Sequence, residues 1–442
     1  MQNWLKNSKA LIKSIAGTVG VKGLSLIISL FTTAAYMHYF ESQEILGVWL
    51  AMVSMLNWII TFDLGIGNGL RNKLVEAISS NDKERVKQCL SSAYVILGMI
   101  SIIILFVGNI VLRFVNWNDL LKISTDVLDK KILLLAVCIT FSGVVLQFFL
   151  RLVLSILYAM QKPAIANLIA LISHSLILVF VYLFRVESVE KSLIILSIMQ
   201  AVTVNLPLIA ATIWVFCKLL RDAKPGIKYY IPKLAKEILS LGYQFFWIQL
   251  ALLVINSTND FLIANLFGPN YVVEYQVYDK VFILISSGFS LITVPVWSAV
   301  TKAMVEKRAD WIKKTYLMLI MLGGAVCVGS LILPLLYQNI VNIWLQDKAI
   351  QISLFNAYMF AVYNSVLVLN YASTSIANGM GLLDIQMKCN TAAAILKIPL
   401  VYVLARFTND WICVIGVNIL IMLPCAVLQP VVIRRKLKGV TA

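Results

Sequence analysis

The sequence predicts an all-α integral membrane protein, and its composition, its long apolar runs and the absence of strand-like alternation support this. The 442 residues are 60% hydrophobic and 13% charged, with a mean hydropathy of +0.88, whereas an ordinary soluble domain is about a quarter charged. A helix of about 20 apolar residues crosses the hydrocarbon layer. A transmembrane barrel would need polar and apolar residues to alternate, so helices are the spanning structure that satisfies the backbone in lipid.

Twelve apolar runs are long enough to span the membrane. The first is too long, and too polar along one face, for a cleaved signal segment, so we expect it to be retained as a helix. The predicted spans are 14–38, 44–66, 89–112, 132–157, 164–184, 192–217, 238–266, 272–300, 315–337, 351–376, 389–407 and 411–433.

The placement of Lys and Arg predicts the orientation. Basic residues near helix ends stay preferentially on the cytoplasmic side, and most of the 37 lie in inner segments if the N-terminus is inside. Both termini are then cytoplasmic, with "RRKLKG" near the C-terminus against the inner leaflet. Topology and anionic lipid account for the net charge of +16, so we expect membrane lipid as a partner and no nucleic acid.

The connection 218–237 divides the spans six and six. We therefore predict an N-lobe of residues 1–217, a cytoplasmic linker and a C-lobe of residues 238–442, related as a repeat. Sliding the sequence by 227 places "YFESQEILGVW" over "LFGPNYVVEYQ", so that the outer turns of the two halves coincide. Few residues are identical between the two halves, but their sequence features are of the same kind and occur in the same order.

The sequence carries no pattern typical of an enzyme or a metal site. The seven cysteines lack CxxC spacing, and HExxH, Walker and GxSxG motifs do not occur. The two histidines, His38 and His174, are isolated, and we interpret them as packed or interfacial side chains. We expect no metal, no cofactor and no catalytic residues.

Polar residues form one face on several spans. In helix 1 they recur every three or four residues, as on one side of a helix. The 227 shift aligns this face with Gln249, Asn256 and Asp260 of helix 7. Hydrogen bonds between helices would explain the Ser and Thr members equally well. The residues of helix 1 are Ser14, Thr18, Lys22, Ser25, Ser29, Thr32 and Tyr36; helix 4 adds Gln147, Arg151, Ser155 and Tyr158, and helix 10 adds Asn356, Tyr363, Asn370 and Thr374.

Charged residues within spans favour a functional role. A Lys, Arg or Asp near mid-bilayer costs about 2.5–3.5 kcal/mol and normally lines a wet cavity. Lys280 follows Glu274 and Asp279 at the predicted start of helix 8, where solvated or mutually paired side chains remain a second explanation. With the polar residues of helix 7, the predicted substrate-binding cavity comprises Lys22, Arg151, Gln249, Asn256, Asp260, Lys280 and Lys397.

The stretch "FDLGIGNGLRNK" at 62–73 ends the second span. Its glycines lack the βαβ context of a dinucleotide site. The following "LRNKLVEAISSNDKERVKQ" is typical of an amphipathic interfacial helix, whose N-terminus beside Arg71 and Lys73 would suit a phosphate. We predict a cytoplasmic gate or phosphate site at Asp63, Arg71 and Lys73. A topogenic loop with an interfacial helix explains the same residues.

Four segments carry a family resemblance. "FDLGIGNGLRNKLVEAISSND", "FGPNYVVEYQVYDK", "YAMQKPAIAN" and "KIPLVYVL" resemble the O-antigen and polysaccharide flippases (Wzx type) of the multidrug, oligosaccharidyl-lipid and polysaccharide (MOP) exporter superfamily, over nearly the whole chain. The second half departs from the pattern, because "VPVWSAV" stands where a second "DLGxGxG" would be. A gating role there is therefore in doubt.

The resemblance implies two six-helix lobes in the MATE-like fold around a cationic cavity. It implies a flippase that moves an undecaprenyl-diphosphate-linked oligosaccharide to the outer leaflet by alternating access. Lys22, Arg151, Lys280 and Lys397 match this as charges on cavity-facing helices. Coupling would use H⁺, Na⁺ or the membrane potential, and the expected partners are the lipid-linked substrate and other polysaccharide-assembly membrane proteins, with the chain itself a monomer.

Two other functions remain open. A proton- or sodium-coupled multidrug exporter of the same superfamily would need a deep carboxylate cluster, for which Asp260 is the strong acidic candidate. A membrane glycosyltransferase or polymerase would need catalytic groups in a sizeable outer loop. The predicted loop at about 113–131 holds Asp119, Asp126 and Asp129 but is short, which makes this the third choice.

Overall fold

The computed structural model describes residues 16–25, 28, 31–32, 35–36, 39–40, 42–61, 65–121, 123–184, 188–345 and 350–441. Within these ranges the regular secondary structure is helical. Contacts divide the chain into two compact units, whose described parts lie in Ile12–Tyr243 and Gln244–Ala442. We call them the first and second units.

The long helices agree with the predicted membrane spans. Among the described residues, nine helices are long and apolar enough to cross a membrane. Of the other three predicted spans, 14–38 lies partly outside the described residues. The span at 44–66 corresponds to helix α1, Gln43–Thr61, and the span at 351–376 to Leu354–Gly379, which carries four asparagines.

The first unit contains the earlier helices. Residues 16–25 are helical. This helix packs closely against Ala164, because a Cβ added to Gly17 would lie 3.1 Å from Ala164 Cβ. The helices are α1 Gln43–Thr61, α2 Ile66–Ser79, α3 Lys83–Leu112, α4 Trp117–Leu121, α5 Lys130–Leu150, α6 Leu152–Ala159, α7 Pro163–Leu183 and α8 Val189–Trp214, followed by a π-helical turn, Val215–Leu219.

Helix α2 is buried within the first unit. Gly65 precedes it with a φ of 64°, in the left-handed region that glycine adopts without strain. Nine of the 14 residues of α2 are buried, and the helix packs against α3 and α6. The interfacial helix expected after "DLGIGNG" is therefore a packed helix that ends at Ser79, and Asp82 begins α3 by accepting a hydrogen bond from the Arg85 N–H at 2.9 Å.

The segment predicted as a linker packs on the first unit. The Ser91 hydroxyl accepts a hydrogen bond from the Gly226 N–H at 3.1 Å, and the Ser92 hydroxyl accepts one from the Ile231 N–H at 3.2 Å. Ala223 and Leu234 are buried in the same hydrophobic cluster as α2 and α3. Contacts thus group residues 218–237 with the first unit.

The second unit packs its helices around an aromatic core. Tyr278 stacks between Tyr337 and Phe360, with ring centroids 5.5 and 5.2 Å apart, and Phe282 stacks on Tyr337 at 5.5 Å. The remaining helices are α9 Pro232–Ser257, α10 Asn259–Leu266, α11 Pro269–Val305, α12 Ala309–Ile332, α13 Tyr337–Leu345, α14 Leu354–Gly379, α15 Asp384–Thr408 and α16 Cys413–Thr441.

Gly69 allows α2 to approach the start of α9 directly. A Cβ at this position would lie 2.4 Å from the Ile238 carbonyl oxygen, a backbone atom that cannot rotate away. Gly69→Ala should therefore lower the apparent melting temperature in detergent by an amount that corresponds to about 1–3 kcal/mol, as in other overpacked sites. Tryptophan fluorescence during heating measures this.

Gly324→Ala is the matched control, because nothing lies within 4 Å of the added Cβ in α12. Alanine favours a helix over glycine by about 1 kcal/mol, so this variant should melt at or above the wild-type temperature. Equal melting of the two variants would show that the approach of α2 to Ile238 is looser than described.

Candidate functional site

Arg151 lies at a break between two helices of the first unit. Helix α5 ends at Leu150 and α6 begins at Leu152. The Arg151 N–H donates to the Gln147 carbonyl at 2.8 Å, and its own carbonyl accepts from the Leu154 N–H at 2.9 Å. The backbone is therefore satisfied through the break, and the half-buried guanidinium is placed in the interior of a membrane-spanning stretch.

A polar cavity of about 530 Å³ opens beside Arg151 within the first unit. Its size lies in the range of small-molecule sites. Helical residues from four parts of the unit contribute hydroxyl, amide, imidazole and guanidinium groups over an otherwise apolar lining. The polar residues are Thr32, Tyr36, Gln147, Arg151, Ser173, His174 and Gln200.

Lys22 belongs to the same region. Its side chain is half-buried, and its charge acts on His174, which lines the cavity. Thr18 and Ser25, the described neighbours of Lys22 on the predicted polar face, are buried, as the face predicted for helix 1 requires. Ser14 and Ser29 lie outside the described residues.

Tyr158 is affected by the charges of two arginines, one in α2 and one at the break between α5 and α6. Arg71 of α2 is 4% exposed, and its guanidinium lies 5.0 Å from the centre of the Tyr158 ring. The charges of Arg71 and Arg151 both act on Tyr158, which is on α6. Arg71 therefore packs toward the helix that starts beside Arg151.

The three residues of the predicted cytoplasmic gate have different surroundings. Lys73 forms ion pairs with Glu237 at 3.2 Å and with Glu76 at 3.6 Å. Arg71 is buried against Tyr158. Asp63 lies outside the described residues. The phosphate site thus stays a prediction, and the structure gives Arg71 and Lys73 protein partners.

Lys397 is fully buried in the second unit. Its ammonium donates to the Asn259 Oδ1 at 2.5 Å and to the Ile255 carbonyl oxygen. That carbonyl belongs to the last turn of α9, where helical partners are missing. Asn418 also donates to Asn259 Oδ1, at 3.2 Å, and Asn259 donates to the Tyr275 hydroxyl at 3.0 Å. Lys397 thus satisfies the end of a helix in the core.

A smaller cavity of about 140 Å³ lies in the second unit. Asp279 lines it together with Asn256 and Tyr363, and the Tyr363 hydroxyl donates to Asn256 Oδ1 at 3.3 Å. The Tyr275 hydroxyl, which accepts from Asn259, is hydrogen-bonded to the Asp279 carboxylate. The charged group on this cavity is therefore acidic, whereas the charged group on the first unit's cavity is basic.

The other predicted cavity residues of the second unit are not brought together. Asp260 is exposed and accepts a hydrogen bond from Gln276 Nε2 at 2.8 Å. Lys280 is exposed. Gln249 is half-buried, and its Oε1 is a buried atom without a hydrogen-bond partner among the described residues. Of Gln249, Asn256 and Asp260, which the sequence places on one predicted helix, Asn256 lines the cavity.

The sequence interpretation missed Asp279, and the position of a helix start explains why. Helix α11 begins at Pro269 rather than at 272, and a helix rises about 1.5 Å per residue. Asp279 is therefore almost three turns into the helix, where it reaches a cavity. His174 and Gln200 were missed because each is an isolated polar residue with no spacing signal.

The comparisons with known proteins agree with this architecture. No protein-family profile matches the chain. A Salmonella typhimurium protein named "Putative O-antigen transporter" is 23% identical over 355 residues, which cover 78% of this chain and 79% of that protein.

Solved structures match over nearly the full length. The Vibrio cholerae MATE transporter VcmN in the bent form has a TM-score of 0.80 at 12% identity, covering 100% of this chain and 99% of that one. A MOP superfamily transporter from Pyrococcus furiosus has a TM-score of 0.77 at 12% identity, covering 98% and 96%. The chain has the fold of the MATE transporters.

The MATE fold confirms the all-helical class that the sequence predicted, and the named relative agrees with the predicted resemblance to O-antigen flippases. It also makes the chain a multi-pass membrane protein. The name of the Salmonella relative is that of a putative transporter and the matching structures are of transporters, in agreement with the expectation of a non-enzymatic function.

Lys397 and Lys280 should respond differently to loss of charge, although the sequence grouped them. Lys397→Met removes the donor to the Ile255 carbonyl, at a cost of about 1–3 kcal/mol for a buried group, while Asn259 Oδ1 keeps the hydrogen bond from Asn418. The apparent melting temperature should fall. Lys280→Met removes the same charge from an exposed position and should melt as wild type. An unchanged melting temperature for Lys397→Met would contradict the hydrogen-bonded role.

Proposed function

We propose that this protein is a flippase that moves an undecaprenyl-diphosphate-linked oligosaccharide from the inner to the outer leaflet of the bacterial cytoplasmic membrane. The observation that carries the proposal is Arg151 on the wall of the polar cavity in the first unit. The O-antigen transporter among the relatives supports the substrate class. Alternating exposure of the cavity to the two sides of the membrane would complete the cycle.

The chemistry of this cavity suits an anionic sugar headgroup. A guanidinium binds phosphate oxygens through two parallel hydrogen bonds, which gives geometry as well as charge. Lys22 adds a second cation near His174. Gln147, Gln200 and Tyr36 supply amide and hydroxyl groups that can bind sugar hydroxyls. The lipid tail stays in the bilayer, so the cavity receives only the polar head.

Orientation and coupling belong to the same proposal. With both termini cytoplasmic, an inside-negative potential drives a net negative head outward. Coupling to H⁺ or Na⁺ is an alternative source of energy. We further propose that the protein acts as a monomer and meets other polysaccharide-assembly membrane proteins that make and consume its substrate.

A multidrug exporter coupled to protons or sodium is the second candidate. The acidic cavity of the second unit favours it, because Asp279 would bind a cation rather than a phosphate. One of the matching structures is of a multidrug resistance MATE family transporter, with a TM-score of 0.75 at 14% identity. Arg151 would attract an anionic glycolipid and repel a cationic drug, so the two candidate functions predict opposite effects of removing its charge.

The glycosyltransferase alternative is weakened by the carboxylates at 113–131. Asp129 accepts a hydrogen bond from the Lys131 N–H at 2.7 Å at the start of α5, Asp119 accepts from Asn116 at 2.5 Å, and Asp126 lies 3.4 Å from the Ser124 hydroxyl. Each carboxylate has a local partner in a short connection, and they do not line a described cavity.

Removing the charge of Arg151 should reduce transport. Arg151→Gln loses charge-assisted hydrogen bonds worth about 1.5–3 kcal/mol, so the apparent affinity for the lipid-linked substrate should fall on the order of tenfold to a hundredfold. Lys22→Gln should also lower the apparent affinity for the substrate. The measurement is transbilayer movement of a fluorescent lipid-diphosphate oligosaccharide in vesicles, with surface glycan as the cellular readout.

Arg406→Gln is the matched control, since Arg406 is an exposed arginine at the end of α15. It should transport as wild type. Full transport by both Arg151→Gln and Lys22→Gln would overturn the proposal, and increased export of cationic drugs by Arg151→Gln would favour the second candidate.

The membrane potential should change the direction of net movement. An uncompensated charge gains about 2.3 kcal/mol per 100 mV, so a head with two such charges gains roughly twice that. Vesicles with an imposed inside-negative potential should accumulate substrate in the outer leaflet, and a reversed potential should oppose this. Identical distributions under both potentials would show that transport is electroneutral.

A further inference from the structure

Another concave site lies on the surface of the first unit, and none of its lining residues belongs to the proposed transport cavity. It is a pocket of about 370 Å³ between the turn that connects α2 with α3 and the turns that come after α8. Its floor is apolar and includes Ile78, Val86 and Leu219. We call it the interfacial pocket. The proposed transport of substrate makes no use of it.

The level of this pocket in the membrane is given by two helix ends. The candidate span Lys83–Leu112 begins at the pocket, and the candidate span Glu190–Leu219 ends there. The pocket therefore lies where two spans leave the hydrocarbon layer, at the depth of lipid headgroups. In the predicted orientation this is the inner leaflet.

The rim of the pocket has an excess of positive charge. Lys83, Lys218 and Arg221 contribute cations, and Asp82 and Asp222 contribute carboxylates. Both carboxylates are already engaged, because Asp82 accepts from the Arg85 N–H and Asp222 pairs with Lys83 at 2.9 Å.

The pKa of Asp222 is affected by the surrounding positive charge. The hydrogen bond and charge of Lys83 hold the pKa of Asp222 below its usual value, and Arg221 and Lys87 act in the same direction. Lys218 and Arg221 are exposed, and within the described chain neither has an ion-pair partner within 4 Å. Two cations are thus available to an anion at the rim.

We propose that the interfacial pocket binds the headgroup of an anionic phospholipid. Lys218 and Arg221 contact the phosphate, and the apolar floor receives the glycerol end of the acyl chains. The apolar floor favours a lipid as the occupant, because a free phosphate or a soluble nucleotide would leave the half-buried side chains of Ile78 and Leu219 uncovered. The lipid would fill the space between α3 and the end of α8, and so hold the connection after α8 at the membrane surface.

Photocrosslinking of the full-length protein tests this. The protein is reconstituted in phosphatidylcholine vesicles that contain a minor fraction of photoactivatable phosphatidylglycerol, and crosslinked peptides are located by mass mapping. Crosslinks should concentrate in residues 77–86 and 218–223. Loss of two direct hydrogen bonds to the phosphate, worth about 1 kcal/mol each, should make Lys218→Gln with Arg221→Gln weaken labelling there about thirtyfold.

The double variant Lys233→Gln with Lys236→Gln is the control. It removes the same charge from exposed lysines of α9 that do not line the pocket, and labelling should stay within about twofold of wild type, since the general surface attraction is screened.

Three results would overturn the proposal. Equal labelling by photoactivatable phosphatidylcholine would show an unselective lipid contact. Equal labelling of the two double variants would remove Lys218 and Arg221 from recognition. Complete competition by inorganic phosphate would identify a soluble anion as the occupant. The comparison of the two lipids uses the wild-type protein, so it remains decisive if a variant is unstable.

Discussion

The structure depends on one constraint, which is that a charged or strongly polar group on a membrane-spanning helix must find partners or water. Each such group in hydrocarbon is costly, and this chain meets the cost in two ways. Lys397 is surrounded by oxygens of Ile255 and Asn259 in the core of the second unit. Arg151 reaches a cavity large enough for solvent and ligand. The first arrangement stabilises the fold, and the second places a cation on the wall of a cavity.

This distinction marks the limit of what the sequence could show. Composition and run length were enough to predict the helical membrane fold, and helical spacing placed Thr18 and Ser25 on a face that is buried. Spacing gives the direction of a side chain around its helix but not the group opposite it. Nothing near Lys397 in the sequence indicates that it meets the end of α9. Lys73 similarly pairs with Glu237, which lies far along the chain.

The glycine-rich stretch shows the same limit in a different form. Its glycines have structural explanations: Gly65 takes a left-handed conformation before α2, and Gly69 permits contact with the Ile238 backbone. Neither explanation requires a ligand. Arg71 then connects the stretch to the polar cavity of the first unit, because it packs on Tyr158, whose helix begins next to Arg151. The motif can therefore influence the cavity through packing, without lining it.

The hydrogen bonds of Ser91 and Ser92 also bear on how the chain can move. They fasten Gly226 and Ile231 to α3, so the stretch after α8 is not a free tether with spare length. A flexible linker would let the helices that follow it move at a small cost in free energy. Here residues 226–231 are fixed to α3 before α9 begins, so α9 can move relative to α3 only if helices bend or tilt or if these hydrogen bonds break.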